Sequence, residues 1–146
     1  MMRIRLGGAL ALIAALATGC LKSNETPIVQ PQGTFTGIFY KLRNPRYVNA
    51  KQIWDTTKIN LSLQLSGNNF AVTGDTTLHA GSKGLFGYNS AYIEFQDNTI
   101  PAGNTKPLTA LPKIHLAGTY PYQYDGSIFR LKAWNDTLVY FYDLKK

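Results

Sequence analysis

Cysteine occurs once in the 146 residues, at Cys20, and histidine only twice, at His79 and His115. A single thiol excludes a disulfide framework and any iron–sulfur or multi-cysteine metal site. The two histidines show no His-X-His or His-Glu-X-X-His spacing, so neither a metal nor a cofactor is expected. Acids are scarce too, eight against fifteen Lys and Arg, for a formal net charge of +7. Charged residues are only 16% of the chain while aromatics reach 12%, which excludes a disordered polymer. Thirteen Gly and seven Pro exclude a long helix or coiled coil. The cations are scattered with no five-residue basic run, so a nucleic-acid partner is not expected. Attraction to anionic headgroups, or plain solubility, accounts for such a charge.

What is present begins with Met1-Met2-Arg3-Ile4-Arg5, continues uncharged from Leu6 to Ala17, and ends in Thr18-Gly19-Cys20. A basic start, a short apolar stretch and small residues before a cut site define a secretory signal peptide. Twelve uncharged residues fall short of the roughly 20 that a membrane-spanning helix needs. The ending Leu16-Ala17-Thr18-Gly19-Cys20 resembles the lipobox of bacterial lipoproteins. That resemblance implies cleavage before Cys20, lipidation of its thiol, and a membrane partner through the N-terminal lipid, with more than one acyl chain giving a stable anchor. Leu21 stands where the family's inner-membrane retention signal would place Asp, so the resemblance implies the outer membrane, in either leaflet. The expected organisation is residues 1–19 as signal peptide, 20–33 as a lipidated polar tether, and 34–146 as one domain.

From residue 34 onward the apolar pattern alternates with period two, the mark of half-buried strands. In Lys58–Ser66, Ile59, Leu61, Leu63 and Leu65 share one face. A two-residue turn at Gly67-Asn68 then sets Leu65 opposite Phe70, Leu63 opposite Val72 and Leu61 opposite Gly74. Asp125-Gly126 as a second two-residue turn sets Tyr122 opposite Phe129, Tyr120 opposite Leu131 and Gly118 opposite Ala133. Asn135-Asp136 as a third sets Ala133 opposite Leu138, Leu131 opposite Tyr140 and Phe129 opposite Tyr142. Strands are therefore predicted at Lys113–Tyr124, Ser127–Trp134 and Thr137–Leu144, besides Thr34–Arg43 and Ala91–Gln96 (Ala91, Ile93 and Phe95 inward), with a short one at Thr76–Ala80. Asn44–Thr57, Gly81–Ser90 and Asp97–Pro112 read as long loops. The fold class is all-β, a small antiparallel meander barrel of seven or eight strands, with a β-sandwich as the alternative.

Gly33-Thr34-Phe35-Thr36-Gly37 at the first strand, Tyr124-Asp125-Gly126-Ser127, and Asp136-Thr137-Leu138-Val139-Tyr140 near the end are similar to the small lipocalin-like lipoproteins of Bacteroidota. The resemblance implies the barrel fold, with Phe35 where the lipocalin signature has Trp. Asp55-Thr56-Thr57, Asp75-Thr76-Thr77 and Asp136-Thr137-Leu138 also resemble the O-glycosylation acceptor pattern of that group, although Asp-Thr is equally ordinary turn chemistry.

Catalytic candidates are few. Asp75, His79 and Ser82 offer the residue types of a hydrolytic cluster, but Gly-X-Ser-X-Gly is absent. Among the eight acids, Glu94 is read as the one at a strand centre, which leaves no carboxylate pair for glycoside chemistry. Ala80-Gly81-Ser82-Lys83-Gly84 lacks the order of a phosphate-binding loop and reads as a flexible loop. No enzyme is expected. Trp134 and Tyr92 fall on faces read as polar, and exposed aromatics stack on sugars or anchor a protein. The expected function is a non-enzymatic binding module for a small hydrophobic or carbohydrate ligand. The alternative is a structural or assembly accessory acting by protein–protein contact.

Overall fold

The computed structural model describes residues 28–146. Cys20, the predicted signal peptide and the first part of the predicted tether lie outside the described residues. Eight strands follow in chain order: β1 (Gly33–Val48), β2 (Lys51–Ser66), β3 (Asn69–Gly74), β4 (Lys83–Tyr88), β5 (Tyr92–Asp97), β6 (Gly118–Tyr124), β7 (Ile128–Trp134) and β8 (Leu138–Lys145). Each pairs antiparallel with the next, and β8 returns to β1, setting Gly37 opposite Leu144 and Phe39 opposite Tyr142. The sheet is a closed barrel. Closure overturns the sandwich alternative.

The hairpin at Gly67-Asn68 has the predicted register, with Leu65, Leu63 and Leu61 opposite Phe70, Val72 and Gly74. Gly67 takes a positive φ of 55° and Asn68 does not, as a type II′ turn requires. The two later hairpins are each displaced by two residues from prediction. Leu131 faces Tyr122 and Tyr142, while Phe129 faces Tyr124 and Leu144. In both, the first turn residue caps its own loop. The Asp125 carboxylate accepts from the N–H groups of Ser127 and Ile128, and the Asn135 side chain from those of Thr137 and Leu138. The corners are therefore Gly126-Ser127 and Asp136-Thr137, one position later than read. A shift of two preserves which face each side chain uses.

Other boundaries differ as well. The segment read as a loop at Asn44–Thr57 is strand, the outer half of a β1–β2 ribbon bulged between Arg43 and Arg46. Lys83–Tyr88 is β4 rather than loop, and Thr76–Ala80 contributes only an isolated parallel bridge of His79 to Ile114. Lys113–Ala117 precedes β6 without joining it, and Asp97–Pro112 holds a short 3-10 turn at Leu108–Ala110. Ala91 is exposed in the turn capped by Asn89.

Inward side chains fill the barrel. Phe35, Phe39, Leu63, Ile93, Leu116, Phe129, Leu131 and Tyr142 have no exposed surface. The aromatic rings pack in two sets, Phe35 on Phe129 (5.1 Å), and a chain from Phe70 on Phe95 (4.9 Å) through Tyr120 (6.0 Å) and Tyr142 (6.2 Å) to Phe39 (4.6 Å). Each such burial contributes about 1.5–3 kcal/mol, and truncating Phe39 to Ala would cost about 3–5 kcal/mol.

The up-and-down order divides the ends. The lower end carries the turns at Gly67-Asn68, Asn89–Ala91 and Gly126-Ser127, and the chain enters there. Pro31 is buried at that entrance, and Gln30 and Gln32 both donate to the Gly67 carbonyl at 3.0 Å. The upper end carries the β1–β2 ribbon, the β3–β4 and β5–β6 connections, and the Asp136-Thr137 turn.

Candidate functional site

Two connections meet over the upper end and bring buried polar side chains with them. The Leu78 carbonyl accepts from Ile114 N–H at 3.1 Å, and the Ile114 carbonyl from Ala80 N–H at 2.8 Å. This short pairing turns His79 inward until it is 1% exposed, edge-on to Phe39 at 5.3 Å. A carbonyl only accepts, so Nδ1 carries the proton it gives to the Ala80 carbonyl at 2.6 Å. Nε2 then accepts from the Tyr142 hydroxyl at 2.8 Å. Burial, the largest influence, pulls the His79 pKa below its usual value. Burial also raises the Tyr120 phenol to about 12 and the Tyr142 phenol well above its ordinary value, so both rings stay protonated as hydrogen-bond donors.

Beside this pair lies a second cluster. His115 Nδ1 is 2.8 Å from Asp97 Oδ2, and Thr99 donates to Asp97 Oδ1 from its hydroxyl (2.6 Å) and backbone (2.8 Å). Ser82, fully buried near Asp97, accepts from Leu116 N–H at 3.0 Å. Burial pushes the Asp97 carboxyl up, but the influence of Ser82, Thr99 and His115 together outweighs it and holds the group below the ordinary carboxylate range. Among the described residues no buried side-chain nitrogen or oxygen lacks a partner.

These residue types are those of a hydrolytic triad, but the order is wrong. Nucleophile activation needs the histidine between serine and acid. Here His115 bonds Asp97 and His79 bonds Tyr142, neither reaches Ser82, and the serine oxygen is sealed from solvent. Asp75 joins neither cluster; it is exposed and caps Thr77 through N–H and hydroxyl at 2.8 and 2.6 Å. The hydrolytic trio is therefore separated, and the cluster's organiser is Asp97. Ser82 and Lys83 are not a flexible loop, since Ser82 is buried and Lys83 begins β4. Glu94 points outward from mid-β5, and Asp55 and Asp143 also lie within strands, so Glu94 is not alone there. No three His, Cys, Asp or Glu among the described residues are grouped to hold a metal ion.

The outside of the molecule is more accessible. The ribbon beyond Arg43 and Thr57 stands clear of the barrel wall as a two-stranded arm, its tip at Asn49-Ala50 with φ of 51° and 61°. Tyr47 is 72% exposed there and Val48 is exposed beside it. Arg46 binds Asp55 at 2.6 Å, and Asn44 reaches the same carboxylate at 3.4 Å. Both are solvent-facing contacts, worth little in stability. Burial and the adjacent Arg43 lower the Lys41 pKa. On the outer wall of β6–β8 a cleft of about 300 Å³ is bordered by Pro121, Gln123, Lys132, Trp134 and Phe141. Trp134 is 62% exposed, with the Lys132 ammonium 5.4 Å from its ring centre. Trp134 and Tyr92 thus occupy the outward faces read for them. Of the three Asp-Thr sites, Asp75-Thr76-Thr77 and Asp136-Thr137-Leu138 lie at turns, while Asp55-Thr56-Thr57 lies inside β2.

The geometry defines a closed eight-stranded antiparallel barrel with a packed interior and a projecting arm. No family model, no curated protein and no solved structure matches the chain. No helix among the described residues is long and apolar enough to cross a membrane, which says nothing of strands.

Proposed function

We propose that the chain is a lipoprotein of the bacterial envelope, anchored through Cys20 in the outer membrane, that acts by contact with another envelope protein. The observation that supports contact over carriage is the filled interior. A barrel that holds a small ligand leaves room between its walls, as larger or emptier barrels do. Here fully buried Phe and Tyr rings occupy that space, and the His79–Ile114 pairing lies across the upper end. The placement of the ends agrees with this reading. The tether enters at the lower end, and the arm extends from the opposite one, so an anchored barrel would present Tyr47 and Val48 away from the lipid. Ser82, fully buried and accepting from Leu116 N–H, supports a non-enzymatic role.

One observation favours a second reading. Trp134 offers a flat exposed face beside Lys132 and Gln123, an arrangement that stacks on and hydrogen-bonds a sugar. Carbohydrate binding on the outer wall is therefore the runner-up, and it retains the lipocalin-like fold without the lipocalin cavity.

The experiment uses the full chain expressed in a host that processes lipoproteins. Cys20→Ser should release it from the membrane fraction and abolish incorporation of a labelled fatty acid. A photo-crosslinking residue at Tyr47 should capture one protein species, and native mass spectrometry of the detergent-purified chain should show only the lipid-bearing mass. A retained small-molecule mass with no crosslinked species would refute the contact reading.

A further inference from the structure

The arm leaves a strand edge open. β3 pairs with β2 only from Leu61 to Ser66, and the last bond on that flank runs from Asp75 N–H to the Asn60 carbonyl at 3.0 Å. From Lys51 to Ile59, β2 has β1 on one side and, among the described residues, no strand on the other. In an antiparallel strand, alternate residues turn both N–H and C=O to the same side. Asn60 faces the open flank, so Lys58, Thr56, Trp54 and Gln52 face it as well. The bulge between Arg43 and Arg46 adds its extra residue to β1, so this alternation runs unbroken along β2.

The charge of the arm together with its base is one-sided. Residues 41–58 hold five of the twelve Lys and Arg of residues 28–146, but only one of the seven acids. That acid, Asp55, already receives Arg46 at 2.6 Å. Among the described residues, Lys41, Arg43, Lys51 and Lys58 have no carboxylate within ion-pair distance. Lysines on an edge strand deter pairing with a second copy, because like charges would then face each other. The same lysines favour a strand of opposite charge. Ile53 and Trp54, both half-buried, lie on opposite faces of β2 and offer apolar contacts to either side of an incoming strand.

We propose that the open edge of β2, Lys51–Ile59, receives an extended acidic segment of a partner protein as an added strand. The proposal rests on the contact reading above and names its surface and the chemistry of its partner. Main-chain hydrogen bonds from Gln52, Trp54, Thr56 and Lys58 would hold the segment, and carboxylates beside Lys51 and Lys58 would select it.

The test uses the full chain in detergent micelles with three probes: a nine-residue peptide alternating pairs of Glu with pairs of Val, which carries Glu on both faces of a strand, its Lys-Val counterpart, and an anionic polysaccharide of equal charge. The Glu-Val peptide should slow amide exchange at Gln52, Trp54, Thr56 and Lys58 by roughly tenfold or more, leaving Ile53, Asp55 and Thr57 unchanged. The Lys-Val peptide and the polysaccharide should produce no such alternation. The double variant Lys51→Glu, Lys58→Glu should reverse the preference, protecting the same amides with the Lys-Val peptide. Thr56→Pro, which deletes one outward N–H, should weaken binding roughly tenfold; if it fails to fold, the charge reversal carries the test. Absence of binding, binding without the alternating protection, or equal protection by the polysaccharide would overturn the edge assignment. Capture of a partner at Tyr47 without edge protection would overturn the edge assignment alone. Loss of that capture together with a retained small molecule would overturn both.

Discussion

His79 should make the barrel lose stability on mild acidification, and the geometry sets the size of the effect. Its ring is almost wholly buried, with Nδ1–H committed to the Ala80 carbonyl at 2.6 Å and Nε2 committed to the Tyr142 hydroxyl at 2.8 Å. A second proton would have to sit on Nε2, facing a hydroxyl that already donates to it, in a space walled by Phe39. Burial therefore dominates and keeps the folded-state pKa low; the Ala80 bond and the Asp97 charge oppose it without reversing it, while His115 adds to it. In the unfolded chain the same ring titrates near ~6.5. Below that pH the unfolded state binds a proton that the native state refuses, so stability falls as pH falls. The slope is at most about 1.4 kcal/mol per pH unit, hence a loss of up to about 1.4 kcal/mol between pH ~7.5 and ~5.5. For a domain of this size that lowers the melting temperature by roughly 3–8 °C. Asp97 does not contribute in this window, because its folded pKa is depressed and its stabilisation is lost only as pH falls below ~4. The assay is urea unfolding followed by circular dichroism at several pH values, for the parent chain and for His79→Gln. The glutamine variant should lose most of the slope between pH ~7.5 and ~5.5. An unchanged slope would refute the assignment of acid sensitivity to this ring.

Three further outcomes follow from the same contacts. Gly37→Ala places a methyl against the Asp143 carbonyl where β1 and β8 close the barrel, and should cost about 1–3 kcal/mol in urea unfolding; a change below ~0.5 kcal/mol would mean the seam can shift. Asp97→Ala strips the shared acceptor from Thr99 and His115 and should cost about 3–5 kcal/mol, measurable as a lower unfolding midpoint. Tyr47→Ser and Val48→Ser, exposed on the arm, should each alter stability by less than ~0.5 kcal/mol while abolishing neither closure nor the circular dichroism of the sheet.

The core was legible in the sequence because face depends only on parity. Both mis-registered hairpins slid by two residues, so Phe129, Leu131, Tyr142 and Leu144 stayed inward although their partners changed. The slip has one cause: Asp125 and Asn135 are helpers at the turn's first position, not its corners, and a side chain that caps its own loop is indistinguishable by residue type from one that occupies it. β4 was hidden because, of its six residues, only Phe86 is buried, with Gly84 and Gly87 breaking the pattern around it. The cluster around Asp97 was hidden for another reason. Ser82, Asp97 and His115 are brought together by two connections that meet above the barrel, and separations of 15 and 18 residues carry no local signal. The arm was illegible because it has no buried face. Between Lys51 and Lys58 only Ile53 and Trp54 are half-buried, on opposite faces, so the alternation that identifies a strand has no one-sided burial to produce it.

That last failure bears on function. Barrel closure exists to remove strand edges, and in this chain it removes them wherever a core side chain is at stake. The ribbon extends past the closed part by a stretch with no fully buried residue, holds together with its base (residues 41–58) five cations against one acid, and exposes Tyr47 near its tip. Stability alone gives no reason to keep such an extension, since shortening the hairpin at Arg43 and Thr57 would leave the interior and its aromatic contacts intact. On the contact reading proposed above, a filled interior leaves recognition to the outer surface. On that surface the arm is where backbone hydrogen-bonding groups, charge and an exposed ring coincide, at the end opposite the tether. Shortening the arm should therefore leave the unfolding midpoint within ~0.5 kcal/mol of the parent while removing the crosslinked partner. A shortened chain that unfolds early would show instead that the ribbon serves the barrel.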